Sequence, residues 1–313
     1  MNQYRGEPAI NLKGLAAMLV TLLIWVGFLL SLRAENQSLL TSSDLGLMRF
    51  GLPAIVFLPW LFKSWRKVRR MPWHYSSMIM LGGLPFFYLV SLGTGYAPAA
   101  HAGALVPGSA PLFVTGLAVL VFGEPLPRRR LLGLGTILLG ILLLLGSALI
   151  NFEQDYWRGH LAFLGATLLW ALYTLGLRVA GINPLEATAL LCTSATAVLG
   201  IMLGMGWVES NISQTTWTEL WPFLLTQGVG AGIVGGVTYG IAINNLGAEK
   251  TAALGSFTPA LAAMAAIPLL GEHLTLSTFG GVLIIMAGVL LASGIQLKRH
   301  HQADTKTQNS DLA

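Results

Sequence analysis

The sequence predicts an all-α integral membrane fold of ten transmembrane helices, arranged as two inverted five-helix repeats. Three observations lead there. Of 313 residues, 54% are hydrophobic and only 10% charged, against roughly 25% charge in an ordinary soluble domain. Apolar runs of about 20 residues, each long enough to cross a hydrocarbon core of roughly 30 Å as a helix, recur along the whole chain. The stretch APLFVTGLAVLVFGEPLP (110–127) returns as TPALAAMAAIPLLGEHLT (258–275), an offset of 148.

The spans are expected at 14–32, 45–62, 75–96, 98–122, 131–150, 160–179, 185–207, 221–243, 251–270 and 277–296. The third and fourth almost touch, but Pro98 is placed to open a new helix. With the N-terminus inside, the inner segments hold Arg5, Lys13, Lys63, Arg66, Lys67, Arg69, Arg70, Arg128, Arg129, Arg130, Arg178, Lys250, Lys298, Arg299 and Lys306. Outside lie Arg33 and Arg158, and Arg49 falls within the second span. The excess of inner Lys and Arg puts both termini in the cytoplasm of a multi-pass protein of the cell (inner) membrane.

A net charge of +5 and the cluster KSWRKVRR (63–70) do not make a nucleic-acid protein. Basic residues between helices face anionic inner-leaflet lipid, and no soluble domain is present to hold a duplex. Cys192 is the only cysteine, which excludes an intramolecular disulfide and a thiolate metal cage. The first apolar run lacks an A-x-A-like exit and is expected to stay as an anchor. The tail 297–313 is polar and expected to be disordered.

The repeat extends over 104–146 and 252–294, matching Ala104 with Ala252, Pro111 with Pro259, Ala118 with Ala266, Gly123-Glu124 with Gly271-Glu272, and Leu126 with Leu274. Further on it pairs Gly133 with Gly281, Ile137 with Ile285, Gly140 with Gly288 and Gly146 with Gly294. At an offset of 145, Gly14, Leu23, Trp25, Leu32 and Arg33 match Gly159, Leu168, Trp170, Leu177 and Arg178. The units are 14–150 and 160–296. Five helices per unit is odd, so the second unit enters the membrane from the opposite side, an arrangement suited to opening on both faces in turn.

These residues resemble the drug/metabolite transporter superfamily, and within it the EamA-like transporters with two EamA domains. The resemblance rests on the early Trp of LLIWVGF and TLLWALY, the Arg-Phe of LMRFGLP, and a small-residue approach to proline followed by Gly-Glu, in both halves. It implies a ten-helix exporter with a central cavity lined by helices 1, 3, 4, 6, 8 and 9, with helices 5 and 10 peripheral. It also implies export of amino acids or other small metabolites, or drug resistance.

The substrate-binding candidates are Trp25, Tyr88, His101, Trp170, Tyr173, Tyr239, Asn244 and Ser256, since mostly apolar walls with a few polar groups make a small-molecule site. Trp25 and Trp170 stand out as repeat-related, and His101, of a residue type able to titrate near neutral pH, is the candidate for coupling, the competing reading being an interfacial histidine without that task. Pro111 and Pro259 are expected to kink their helices and act as hinges. Gly230-x-Gly232-x-x-Gly235 fits a dinucleotide fingerprint but lies inside an apolar span without a preceding strand. Gly228, Gly232, Gly236 and Gly240 instead form a ridge for close helix packing. Glu124 and Glu272 are expected to cap the helices that follow them, the competing reading being a proton-coupling pair. Arg49 is expected to clamp freed backbone carbonyls, the competing reading being an anion site.

No clustered nucleophile and base and no His/Asp/Glu group at ligand spacing is present, so neither an enzyme nor a metal or cofactor site is expected. A channel or structural protein is the alternative to a transporter. The expected partners are a small-molecule substrate and the bilayer, with no nucleic acid and with a homodimer left open.

Overall fold

The computed structural model describes residues 11–150, 155–246, 251, 254–273 and 275–293. In chain order its helices are α1 (Leu12–Glu35), α2 (Ser42–Arg70), α3 (Trp73–Tyr96), α4 (Ala99–Phe122), α5 (Arg128–Ile150), α6 (Tyr156–Val179), α7 (Pro184–Gly204), α8 (Trp217–Leu246), α9 (Thr258–Leu270) and α10 (Leu276–Ala292). Among the described residues there is no strand. The first eight are long and apolar enough to cross a membrane, whereas α9 and α10 are shorter apolar helices. The ninth starts late because the chain turns at Ser256–Phe257. The end of the tenth expected span, the tail, the basic residues Arg5, Lys250, Lys298, Arg299 and Lys306, and the repeat positions Ala252, Leu274 and Gly294 lie outside the described residues.

Helix starts follow capping chemistry. Asn11 accepts from Gly14 N at the head of α1. Thr41 with Asp44, Asn183 with Glu186, and Thr216 with Glu219 each form a reciprocal capping box at α2, α7 and α8, satisfying amides that have no partner within the helix. Pro98 is the N-cap of α4 and separates it from α3.

The recurring Ala…Gly-Glu of the repeat is a helix stop. Gly123 and Gly271 have φ of 64° and 65°, a left-handed conformation that disfavours a Cβ. The Gly123 amide bonds Val119 O at 3.0 Å and the Gly271 amide Ile267 O at 3.1 Å, the five-to-one bond of an αL cap, and the amides of Glu124 and Glu272 reach back to Ala118 O at 3.5 Å and Ala266 O at 3.4 Å. Both alanines are buried.

The spaced glycines of the repeat lie where α5 and α10 pack lengthwise. A Cβ at Gly140 would stand 2.6 Å from Ile285 Cγ1, and one at Gly288 would stand 2.6 Å from Ile137 N. Each fully buried isoleucine of one unit therefore covers the glycine of the other, as a two-fold relation between α5 and α10 requires.

Contacts join like ends of the bundle. At the near end, where α1 begins, Asn11 Nδ2 donates to Asn245 O at 3.2 Å and Lys67 Nζ to Glu186 Oε1 at 2.9 Å. At the far end, where α1 stops, Thr41 Oγ1 donates to Glu209 O at 2.9 Å and the Asn211 amide to Asp44 Oδ2 at 3.0 Å. The segments 63–73 and 208–220 thus lie at opposite ends, as alternating helices demand.

Candidate functional site

Two aromatic groups face the interior from the two units. Trp25 of α1 lies 5.2 Å from Tyr239 of α8, centroid to centroid, and a Cβ at Gly255 would stand in ordinary contact with the indole, 3.6 Å from its Cζ3. Trp170 of α6 lies 5.2 Å from Phe86 and 5.1 Å from Tyr173. Tyr173 rests against the break in α3 between Trp73–Leu81 and Leu84–Tyr96, where a Cβ at Gly82 would come within 2.5 Å of its ring. At the offset of 145 that relates Trp25 to Trp170, Tyr173 is the counterpart of Phe28. The repeat-related pairs are therefore Trp25 with Trp170 and Phe28 with Tyr173.

Arg49 stands between them. Its guanidinium is 5.7 Å from the Phe28 ring and 5.6 Å from the Phe50 ring, with Tyr173 and Cys192 in electrostatic reach. It sits on a π-helical turn of α2, Leu47–Gly51, which packs on a longer π-helical stretch of α8, Leu224–Val234. Such wide turns recur at functional sites. Gly228 and Gly232 make the packing close: a Cβ at Gly228 would be 3.0 Å from Met48 O, and one at Gly232 would be 3.0 Å from Arg49 O and 2.5 Å from Pro53 Cγ. Gly236 and Gly240 meet nothing within 4 Å, which corrects the expected four-residue ridge. A stripe written at i+4 assumes 3.6 residues per turn throughout, and the π-helical stretch ending at Val234 changes that advance.

Gln227, which sequence reasoning missed, is fully buried beside this group. Its Nε2 donates to Ser31 Oγ at 2.8 Å and towards Phe28 O at 3.4 Å, while its Oε1 has no partner. Between α1 and α8 an apolar groove of about 320 Å³ is lined by Val20, Leu23, Ile24, Gly27, Leu225 and Thr226, and its walls Leu23 and Leu225 are exposed.

Each end of the bundle is tied by an ion pair between the two units. At the far end Arg33 Nε donates to Glu272 Oε1 at 3.0 Å and Arg33 Nη1 to Thr94 O at 2.6 Å. Glu272 also accepts the Ala99 amide at 3.1 Å through both oxygens. At the near end Arg178 pairs with Glu124. Arg33 and Arg178 are repeat counterparts, as are Glu124 and Glu272, so each arginine holds the glutamate of the other unit. Side-chain exposure is 29% and 9% at the far pair, against 49% and 34% at the near one, so only the far pair is substantially shielded. The expectation that Glu272 caps its following helix is corrected: Glu272 caps α4 through Ala99, and Thr275 caps α10. The chain folds α9 back beside the head of α4, which brings that amide nearer than its own successor's.

His101 is buried at the far end, with Nδ1 2.8 Å from His160 Nε2 and Nε2 2.7 Å from Thr278 Oγ1. Both ring nitrogens are engaged, whereas His160 Nδ1 is buried without a partner. Tyr88 bonds Ser43 Oγ at 2.9 Å. Ser256 is buried at the turn before α9, and Asn244 is exposed at the end of α8. The eight substrate candidates thus divide into two central aromatic groups, a far-end pair in Tyr88 and His101, and two residues near the ends of α8 and α9. Pro111 lies inside α4 together with Pro107, where Thr167 of α6 donates to Leu105 O at 3.0 Å. Pro259 lies in the first turn of α9, where a missing N–H breaks no helical bond. It marks a helix start after a turn, which corrects the expected interior kink.

No match was found among curated proteins. A solved structure described as "Crystal structure of protein" superposes with a TM-score of 0.61 at 18% identity, covering 89% of this chain and 96% of that one, a likeness of fold alone. The profile of the EamA-like transporter family matches twice, at residues 12–146 and 157–294. Each match holds one of the repeat-related pair Trp25 and Trp170, one arginine of the end pairs and one Gly-Glu stop. The chain is a multi-pass helical membrane protein and belongs to the EamA-like transporter family.

Proposed function

We propose that the protein exports a small metabolite by alternating access, through ten spans built as two inverted units, 14–150 and 160–296. The observation that carries this reading is the exchange of repeat-related ion pairs between the units, Arg33–Glu272 at the far end and Arg178–Glu124 at the near end, where Lys67–Glu186 also crosses between them. Repeat-related groups that tie opposite ends of one central site are what a carrier needs if each end is to open while the other stays shut. The near end is read as cytoplasmic, because Lys13, Lys63, Arg66, Lys67, Arg69, Arg70 and Arg128 to Arg130 gather there. Substrate enters from that side and leaves past Arg33 and Glu272. Trp25 and Trp170 contact it from opposite units.

The test compares metabolites in the medium of cells that overproduce the protein, cells that lack it, and cells carrying Arg33→Gln. Export predicts a compound that accumulates outside only when the wild-type chain is present. If no small molecule differs between overproducing and lacking cells, the exporter reading fails.

A further inference from the structure

Arg49 is flanked on both sides by apolar sequence, LGLMRFGLPAIVF. It lies seven residues into α2, about 10 Å along the helix axis from the far end. Lys63 and Arg66 lie within the last two turns of α2, in the basic stretch KSWRKVRR at its near end, and the other described lysines and arginines lie on connections or in the terminal turns of helices. A cation at such depth is costly unless something compensates it. Among the described residues no carboxylate or carbonyl accepts a hydrogen bond from its guanidinium, and its ring neighbours are Phe28 and Phe50. The clamp expected from sequence has no partner to clamp.

The position of this cation is as telling as its isolation. Phe28 and Tyr173 are counterparts in the two units; the Arg49 guanidinium is 5.7 Å from the Phe28 ring and has Tyr173 within electrostatic range, while the residue matching Arg49 at the same offset is Ser194. The charge is therefore used once, on the line relating the two units, where a single bound molecule would sit. Gln227 Oε1 supplies a second unmatched group on the same side, and its orientation is set because Nε2 donates to Ser31 and Phe28. A guanidinium presents paired donors to a carboxylate. One cation among aromatic rings compensates one negative charge and would leave a dianion unmatched.

We propose that Arg49 binds the carboxylate of the transported molecule, a monocarboxylate whose apolar body lies on Phe28 and Tyr173 and whose hydrogen-bond donor meets Gln227 Oε1. This rests on the transporter reading and names the substrate class of that site.

The test uses the purified full-length protein and matched acid and amide probes: phenylacetate with phenylacetamide, and indole-3-acetate with indole-3-acetamide. Binding is read from thermal stabilisation across a concentration series. The wild type should bind the acids about tenfold or more tightly than the amides. Arg49→Gln should bring the acids down to the amide level, and Arg49→Lys should keep part of the preference. Equal affinity of acid and amide in the wild type, absence of binding by every acid, or an acid preference that survives in Arg49→Gln would each overturn the proposal. The wild-type comparison decides the matter even if Arg49→Gln fails to fold. An uncharged or cationic compound exported by cells, with no acid preference here, removes this inference and keeps the transporter. Acid preference here with no export removes the transporter and keeps the site.

Discussion

Replacing Arg33 by glutamine should open the far end of the bundle far more than replacing Arg178 opens the near end. Arg33 makes two bonds, to Glu272 at 3.0 Å and to Thr94 O at 2.6 Å. Its loss leaves Glu272, with a side chain only 9% exposed, held by the Ala99 amide alone. Breaking a fully buried pair costs about 3–5 kcal/mol and an exposed one about 0.2–1 kcal/mol. The far pair stands between these limits, so its loss should disfavour the shut far end by about 2 kcal/mol. The near pair, with side chains 49% and 34% exposed, belongs at about 0.5 kcal/mol. At about 1.4 kcal/mol per tenfold change, these are shifts of about 30-fold and about twofold. A far-open conformer at about 3% of molecules would rise to about half in Arg33→Gln. The assay is double electron–electron resonance in a Cys192→Ala background. Spin labels go on the exposed positions Gln37 and His273 for the far end, and Pro125 and Leu185 for the near end. The expected result is a second, longer far-end distance in Arg33→Gln and a near-end distribution little changed in Arg178→Gln. An unchanged far end in Arg33→Gln, or a larger opening from Arg178→Gln, would refute the assignment of the shielded pair as the stronger tie.

Gly232→Leu should abolish transport by forcing α8 off Arg49 O and Pro53, whereas Gly236→Leu should leave it near the wild-type rate; equal loss of flux in both would show that α8 packs elsewhere along the stripe. Gly140→Leu should lower the thermal stability of the purified protein by about 1–3 kcal/mol or more, because the neighbours of a new Cβ are Ile285 and the backbone of α10. Gly135→Leu, on an exposed face of the same helix, is its neutral control. Trp25→Ala and Trp170→Ala should each weaken binding of the exported compound by about 1–3 kcal/mol if the rings pack on it. Unchanged affinity with reduced folded yield would assign both to packing.

What the sequence made legible depended on whether a signal was local or crossed between units. The Gly-Glu stops could be read because the left-handed glycine and its cap bond occupy one turn, and both copies carry them. The capping boxes and the Pro98 boundary were legible for the same reason. The ion pairs were half visible. The sequence aligns Arg33 with Arg178 and Glu124 with Glu272, but like-with-like matching does not say which glutamate each arginine meets. The parity of the repeat does say it. Five helices per unit put the end of α4 at the near end and the end of α9 at the far end. Arg33, about 32 Å of helix away from the start of α1, can reach only Glu272. The same parity puts Phe28 in the far half of α1 and Tyr173 in the near half of α6. What no periodicity could reveal is whether Arg49 had a partner, because that depends on α6, α7 and α8 together. Nor could it reveal His160, which matches Leu15 in the other unit and carries no repeated signal. The π-helical stretches were hidden because their residues read as ordinary apolar helix. They misled the glycine stripe at Gly236 and Gly240, and they also bring the backbone of α8 against Arg49. The departure from regular helix and the Arg49 guanidinium within the apolar part of α2 thus fall at the same place, where a bound anion would offset the cost of the charge.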